Sequence, residues 1–266
     1  MKIGSQGRRS SAISTSNAEA IVVRGHDLCR DLIGHITFTD HAWLLVTGAL
    51  PSDAQRRILD ATLVAIAEHG LVPSVAASRM TLAAAPEALQ GAVAAGILGC
   101  GSVILGSAES AARLFTDIAA NDSAGMDASA KAALMALHDA RQAVPGYGHP
   151  LHKKRDPRVA ALLDVAAESG TVGRHVGIAR VVETLLPGIT GKPLAMNVSG
   201  AIAAVLLDAG YPLLAVKGIP ILARTAGLIA HLLEERERPI GFMLADSGAA
   251  GIGYDGPAPA GFVPEP

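Results

Sequence analysis

Residues 144–158 read Val-Pro-Gly-Tyr-Gly-His-Pro-Leu-His-Lys-Lys-Arg-Asp-Pro-Arg, placing a turn, a histidine and a basic cluster within fifteen residues of an alanine-rich chain. Pro145, Gly146 and Gly148 predict a tight turn with accessible backbone, because glycine takes positive φ at no steric cost. A histidine on such a turn, His149, can offer a ring N–H to a substrate oxygen or take a proton near neutral pH. Lys153, Lys154, Arg155 and Arg158 follow at once, so the group that meets His149 is expected to be anionic. By spacing alone the segment reads equally well as a basic, solvated loop.

The segment resembles the PGYGH…DPR signature of the citrate synthase superfamily, which includes the citryl-CoA lyase module of ATP-citrate lyase. That resemblance implies an all-α, citrate synthase-like multi-helix fold with a large helical domain and a small one. It implies that His149 meets the oxygen on the carbon attacked or released in the reaction. By the same resemblance Arg158 binds a substrate carboxylate, and Lys153, Lys154 and Arg155, with the turn glycines Gly146 and Gly148, serve coenzyme A. The match in helix order runs from Phe38 to the Tyr254-Asp-Gly-Pro257 tail. It also exposes a shortening: only seventeen residues separate the segment 44–51 from His69. Full-length citrate synthases carry many more there, and the lyase module does not.

Composition agrees with a helical core. Of 266 residues, 50% are hydrophobic but only 3% aromatic, so alanine, leucine, valine and glycine fill the interior. Small side chains favour closely crossed helices. A net charge of −2 gives no general reason to expect nucleic acid. Cys29 and Cys100 form no CxxC, and Met1-Lys-Ile-Gly-Ser has no apolar leader, which together predict free thiols and a cytoplasmic address. Residues 91–108 carry no charge over a length near that of a membrane span. Five of them are glycine, so the expectation is a buried central helix and no membrane.

Along the chain, residues 1–20 form a polar arm, residues 21–247 the helical body with a small domain at about 107–220, and residues 248–266 a Gly/Pro-rich tail. Helices are expected at 39–48, at 52–70 behind the capping box Ser52-Asp-Ala-Gln55, and at 74–82, 87–104 and 107–120. Further helices are expected at 131–141, from Pro157 to 168, at 173–186, at 198–209 and from Pro220 to 236. Residues 121–128 read as a polar connector.

Three more residues can carry chemistry. His69 closes the capped helix, a position where a histidine also serves the helix C-terminus alone. Arg224 is one charge on an apolar helix, and burial demands an anionic partner. Arg238 lies in Glu237-Arg-Pro239, where surface charge is the plain reading. The resemblance assigns all three to substrate carboxylates, through Glu68-His-Gly, through Arg224-Thr-Ala-Gly with His231, and through an arginine reaching across a dimer. Gly99-Cys-Gly is no dinucleotide fingerprint, and His149 with His152 is too sparse for a metal.

Two departures stand out. The family histidine of G-P-x-H-G-G-A falls on Ile104, a loss shared with the lyase branch. The family catalytic aspartate falls on Ser199, twenty-five residues before Arg224 as in the family. The expectation is a citryl-CoA lyase-like enzyme, closest to stand-alone lyase modules, that cleaves or forms the bond between an acyl-CoA and a 2-oxo acid such as oxaloacetate. Its partners are a coenzyme A thioester and a di- or tricarboxylate, it is a homodimer or higher oligomer, and it holds no tightly bound cofactor or metal. The alternatives are a non-catalytic CoA-ester or tricarboxylate binder, and a lyase or hydrolase for another hydroxyacyl-CoA.

Overall fold

The computed structural model describes residues 10–101, 103, 105–148 and 156–262. They form an all-α fold preceded by a small antiparallel meander, β1 (Ser14–Ser16), β2 (Ile21–Val23) and β3 (His26–Asp27). Ser14 pairs with Val23, and Val23 in turn with His26. Strands of two or three residues are too short to show alternation, which is why sequence patterning assigned none here. A π-helical turn at Leu28–Leu32 follows, with Asp27 accepting the Cys29 and Arg30 N–H groups.

The chain divides into two units, residues 1–62 with 108–216, and residues 63–107 with 217–266. The first holds α1 (Phe38–Thr47), most of α2 (Asp53–Ala67), α5 (Ser107–Ala120), α6 (Met126–Asp139), α7 (Pro157–Glu168), α8 (Arg174–Thr190) and α9 (Val198–Asp208). Its central element is α9, whose residues from Gly200 to Leu206 are all buried. A helix apolar on every side belongs in the middle of a layer, and α9 packs on both α7 and α8. The amphipathic α5 contributes Ala108, Ala111, Ala112, Phe115 and Ile118, one helical stripe. Trp43 and Tyr211 pack with ring centroids 5.2 Å apart.

The second unit holds the end of α2, α3 (Pro73–Ala84), α4 (Leu89–Leu98), α10 (Gly218–Glu237) and α11 (Gly241–Ala249). Leu82, Ala92 and Leu232 form one of its core clusters. A Cβ on Gly96 would lie 2.8 Å from the Ser74 carbonyl, so only glycine allows that approach. Arg79, on α3, is buried between two carboxylates of α10, with Nε 2.6 Å from Glu235 and Nη1 2.7 Å from Glu234. Leu213–Glu237 is, among the described residues, the one helical stretch long and apolar enough to cross a membrane by length and composition. A central helix of a folded unit has the same composition.

Most expected helices are present, with corrected ends. The Ser52/Gln55 capping box forms as read: each backbone N–H meets the other's side chain, at 2.9 and 3.2 Å. The helix expected at 87–104 stops at Leu98, where Gly99-Cys-Gly withdraws helical propensity. The expected connector 121–128 holds a single 3-10 turn before α6 begins at Met126. Helix α8 continues through Pro187 to Thr190, one turn past the expected stop. Helix α11 was not foreseen, because its start is served from upstream. Glu235 accepts the Ile240 and Gly241 N–H groups, in place of a local capping residue.

The Arg79–Glu235 pair yields the first prediction. Arg79→Met leaves the Glu235 carboxylate buried without its cation and should destabilise the fold by about 3–5 kcal/mol. Adding Glu235→Gln should recover part of that loss in urea unfolding, whereas strictly additive losses would show the two groups to be uncoupled.

Candidate functional site

The Pro145–Gly148 turn is built onto the start of α9. Tyr147 and Met196 form an antiparallel bridge. The Gly148 N–H donates to the Ala195 carbonyl at 2.8 Å, and the Asn197 N–H to the Gly146 carbonyl at 2.9 Å. Gly146 and Gly148 adopt φ of 87° and 77°, the left-handed region expected of them. Gly146 lies against Gly200, where an added Cβ would meet the Gly146 carbonyl oxygen at 2.5 Å. Backbone therefore touches backbone at the point where the turn reaches the helix. The Tyr147 hydroxyl donates to the Ala179 carbonyl at 2.7 Å, and burial pushes its ionisation well above the usual range.

Asn197 caps α9. Its Oδ1 accepts the Ser199 and Gly200 N–H groups at 3.0 and 3.2 Å, while its Nδ2 donates to the Gly148 carbonyl at 2.8 Å. One side chain thus fixes both the turn that precedes His149 and the helical turn that carries Ser199. Asp156 performs the same service for α7. It is 1% exposed, caps the helix through the Arg158 N–H at 3.1 Å, and accepts the Val198 N–H at 3.2 Å. The Arg158 Nε and Nη2 donate to its two oxygens at 3.0 and 2.8 Å. Burial raises the Asp156 carboxyl, but the Arg158 and backbone hydrogen bonds outweigh it, and the net shift is below the usual carboxylate range.

Gly146, Gly148, Arg158 and Ser199 therefore share one hydrogen-bonded framework in the first unit. His149, Lys153, Lys154, Arg155 and Ile104 lie outside the described residues. His69 and Arg224 belong to the second unit, where the Arg224 Nη2 donates to the Ile66 carbonyl at 3.3 Å. Arg224 is 2% exposed. Burial pushes the Cys100 thiol up, against the opposing pull of Arg224 and Lys217. Arg238 is not brought to Arg224. It is the exposed C-cap of α10, fourteen residues further on, about 21 Å along a helix axis. Its carbonyl accepts from Arg79 Nη2 at 2.9 Å. Both cysteines are free, Cys29 exposed and Cys100 buried. Among the described residues no cluster of His, Cys, Asp or Glu could hold a metal ion.

Sequence reading had given no role to Asp156 or Asn197. Each had a legible signal, an Asp before Pro and an Asn before an apolar run, both of which start helices.

Residues 52–241 match the family described as "Citrate synthase, C-terminal domain", and the chain belongs to the citrate synthase family. It is 28% identical to a citrate synthase of Haloferax volcanii over 199 residues, 73% of this chain and 50% of that protein. It is 25% identical to a citrate synthase of Heyndrickxia coagulans over 207 residues, 76% and 53% of the two. The chain spans about half the length of the curated relatives it matches. Among solved structures it is similar to the citryl-CoA lyase from Hydrogenobacter thermophilus, with 30% identity, a TM-score of 0.84, and coverage of 96% of this chain and 97% of that one. The ATP citrate lyase of Methanothrix soehngenii, solved in complex with citrate and coenzyme A, shares the fold at 22% identity and a TM-score of 0.77, over 96% of this chain and 43% of that one.

Asp156 supplies a test of the framework. A carboxyl whose ionisation is depressed by folding adds stability above its unfolded value, near ~3.9, and loses it as pH falls through the folded value. Asp156→Asn should cost about 2–4 kcal/mol at neutral pH. The gap to the wild-type protein in urea midpoints should begin to narrow below about pH 4 and close only as pH falls through the depressed folded value, where the folded wild-type carboxyl is protonated as well. A gap independent of pH would mean that the charge contributes nothing.

Proposed function

We propose that this protein is a citryl-CoA lyase-like enzyme, cleaving or forming the carbon–carbon bond between an acyl-CoA and a 2-oxo acid such as oxaloacetate. The observation that carries the reading is the near co-extensive match to a citryl-CoA lyase, over 96% of this chain and 97% of that one. In cleavage, His149 takes the proton of the C3 hydroxyl. The C2–C3 bond breaks, C3 becomes the carbonyl of the 2-oxo acid, and the electron pair passes into the thioester enolate. Arg158, His69 and Arg224 hold the carboxylates, and Arg238 reaches the neighbouring site of a homodimer. No carboxylate stands at position 199, so the proton that quenches the enolate arrives through water hydrogen-bonded to the Ser199 hydroxyl. These steps require no metal or redox group.

A second reading is favoured by one residue. Ser199 removes the family's acid–base carboxylate, which suits a protein that binds CoA esters or tricarboxylates without turning them over. Product analysis after incubation with citryl-CoA separates the readings. Acetyl-CoA with oxaloacetate marks a lyase, citrate with free CoA a hydrolase, and unchanged substrate a binder. Ser199→Asp should abolish a measurable wild-type activity, a loss of about 10²-fold or more, because the new charge enters a site built without it. A gain in turnover would instead identify Ser199 as the lesion of a degenerate enzyme.

The basic cluster has its own test. Replacing Lys153, Lys154 and Arg155 together by alanine should weaken CoA-ester binding and flatten its dependence on salt, while sparing free citrate. Equal losses for both ligands in calorimetry would remove coenzyme A from this cluster.

A further inference from the structure

The end of α2 is joined to α10 at three successive points, all within the second unit. The Arg224 guanidinium reaches the Ile66 carbonyl, Gly227 lies against the Ala67 carbonyl where any Cβ would collide, and the His231 Nε2 stands 3.0 Å from the Glu68 Oε2. The α10 residues 224, 227 and 231 share one helical face, while their partners 66, 67 and 68 are consecutive. The C-terminal end of α2 and the residue after it therefore meet α10 on that face. The second oxygen of Glu68 accepts the backbone N–H of His69 at 2.8 Å and that of Gly70 at 2.5 Å. One carboxylate is held between an imidazole and the two peptide N–H groups that flank the His69 α-carbon. The other ring nitrogen of His231, Nδ1, is buried with no hydrogen-bond partner among the described residues and lies 3.9 Å from the Glu234 Oε2, the oxygen that also meets Arg79.

We infer that Glu68 and His231 are positioning residues for His69, fixing the peptide that bears it so that its imidazole is preset for a substrate carboxylate. This rests on the reading of His69 as a carboxylate ligand. Preset donors bind an anion without the cost of ordering them at the moment of binding. Burial raises the Glu68 carboxyl, but the His231 and backbone hydrogen bonds outweigh it, so the group holds its charge at neutral pH. A carboxylate that merely finished α2 would satisfy the same two N–H groups without needing His231. The imidazole is what distinguishes a clamp from a cap.

Calorimetry with citrate tests the clamp in the full chain. Glu68→Gln and His231→Gln should each weaken citrate binding about five- to tenfold, and Glu68→Asp should retain most of the affinity. The decisive comparison is Glu68→Gln combined with His69→Ala. If Glu68 acts through His69, the double variant binds no more weakly than His69→Ala alone, whereas additive losses overturn the clamp. If Glu68→Gln does not fold, His231→Gln combined with His69→Ala makes the same comparison from the other side. If His69→Ala leaves citrate affinity unchanged, or the wild-type protein binds none, the ligand reading of His69 falls separately. The clamp is then judged on the His69 ring resonances in NMR spectra. Shifted or doubled signals in Glu68→Gln sustain it, and an unaltered single set overturns it.

Discussion

Peptide backbones touch at several glycines, and this closeness is the constraint from which most of the structure follows. A Cβ at Gly200 would meet the Gly146 carbonyl, one at Gly227 the Ala67 carbonyl, one at Gly241 the Arg79 carbonyl, and one at Gly96 the Ser74 carbonyl. A chain with 3% aromatic residues cannot fill wide gaps between helices, so its helices must approach closely. Approach at that distance excludes both side chains and water. The polar backbone groups beside each contact then need partners supplied by design of the sequence.

Carboxylates supply those partners in a repeated form. Asp156, Asp208, Glu235 and Glu68 each accept backbone N–H groups and each also meet one cationic or imidazole group, respectively Arg158, His175, Arg79 and His231. Asp208 alone takes the N–H groups of Gly173, His175 and Val176 at the start of α8. In all four, burial works against ionisation and the hydrogen bonds win, so every one sits below its ordinary range. Helix starts that lack a local capping residue, such as α8 and α11, are thus held by a distant or upstream carboxylate. Both units share this dependence on ionised carboxyls and should loosen together in acid.

How much of this could be read beforehand depended on distance along the chain. Ser52 with Gln55, Pro157 after Asp156, and the glycines of the 145–148 turn are local signals, and each forms the element it announced. The stripe of α5 and the apolar run of α9 were legible for the same reason, since periodicity is a property of neighbours. The failures are non-local. Helix α11 starts on Glu235, and the meander of residues 14–27 depends on strand pairing that no short alternation reveals. For the site, residue types were legible and partnerships were not. Arg158 was expected to await a substrate carboxylate, and the structure gives two of its nitrogens to Asp156. Glu68 entered the sequence reading only as the neighbour of His69, and it meets both His231 and the peptide of His69.

Helix α10 concentrates these obligations in twenty residues, with Arg224, Gly227 and His231 committed to Ile66, Ala67 and Glu68, and Glu234 and Glu235 both to Arg79. A helix advances by 100° per residue, so these commitments hold only in one phase. A single insertion between Arg224 and Glu235 would leave one end in register and swing the other a quarter turn away. The segment is therefore inherited as a block. Drift can exchange its exposed side chains such as Ile229 and Leu233, but it cannot lengthen or shorten the helix without breaking the bonds on one side of the change.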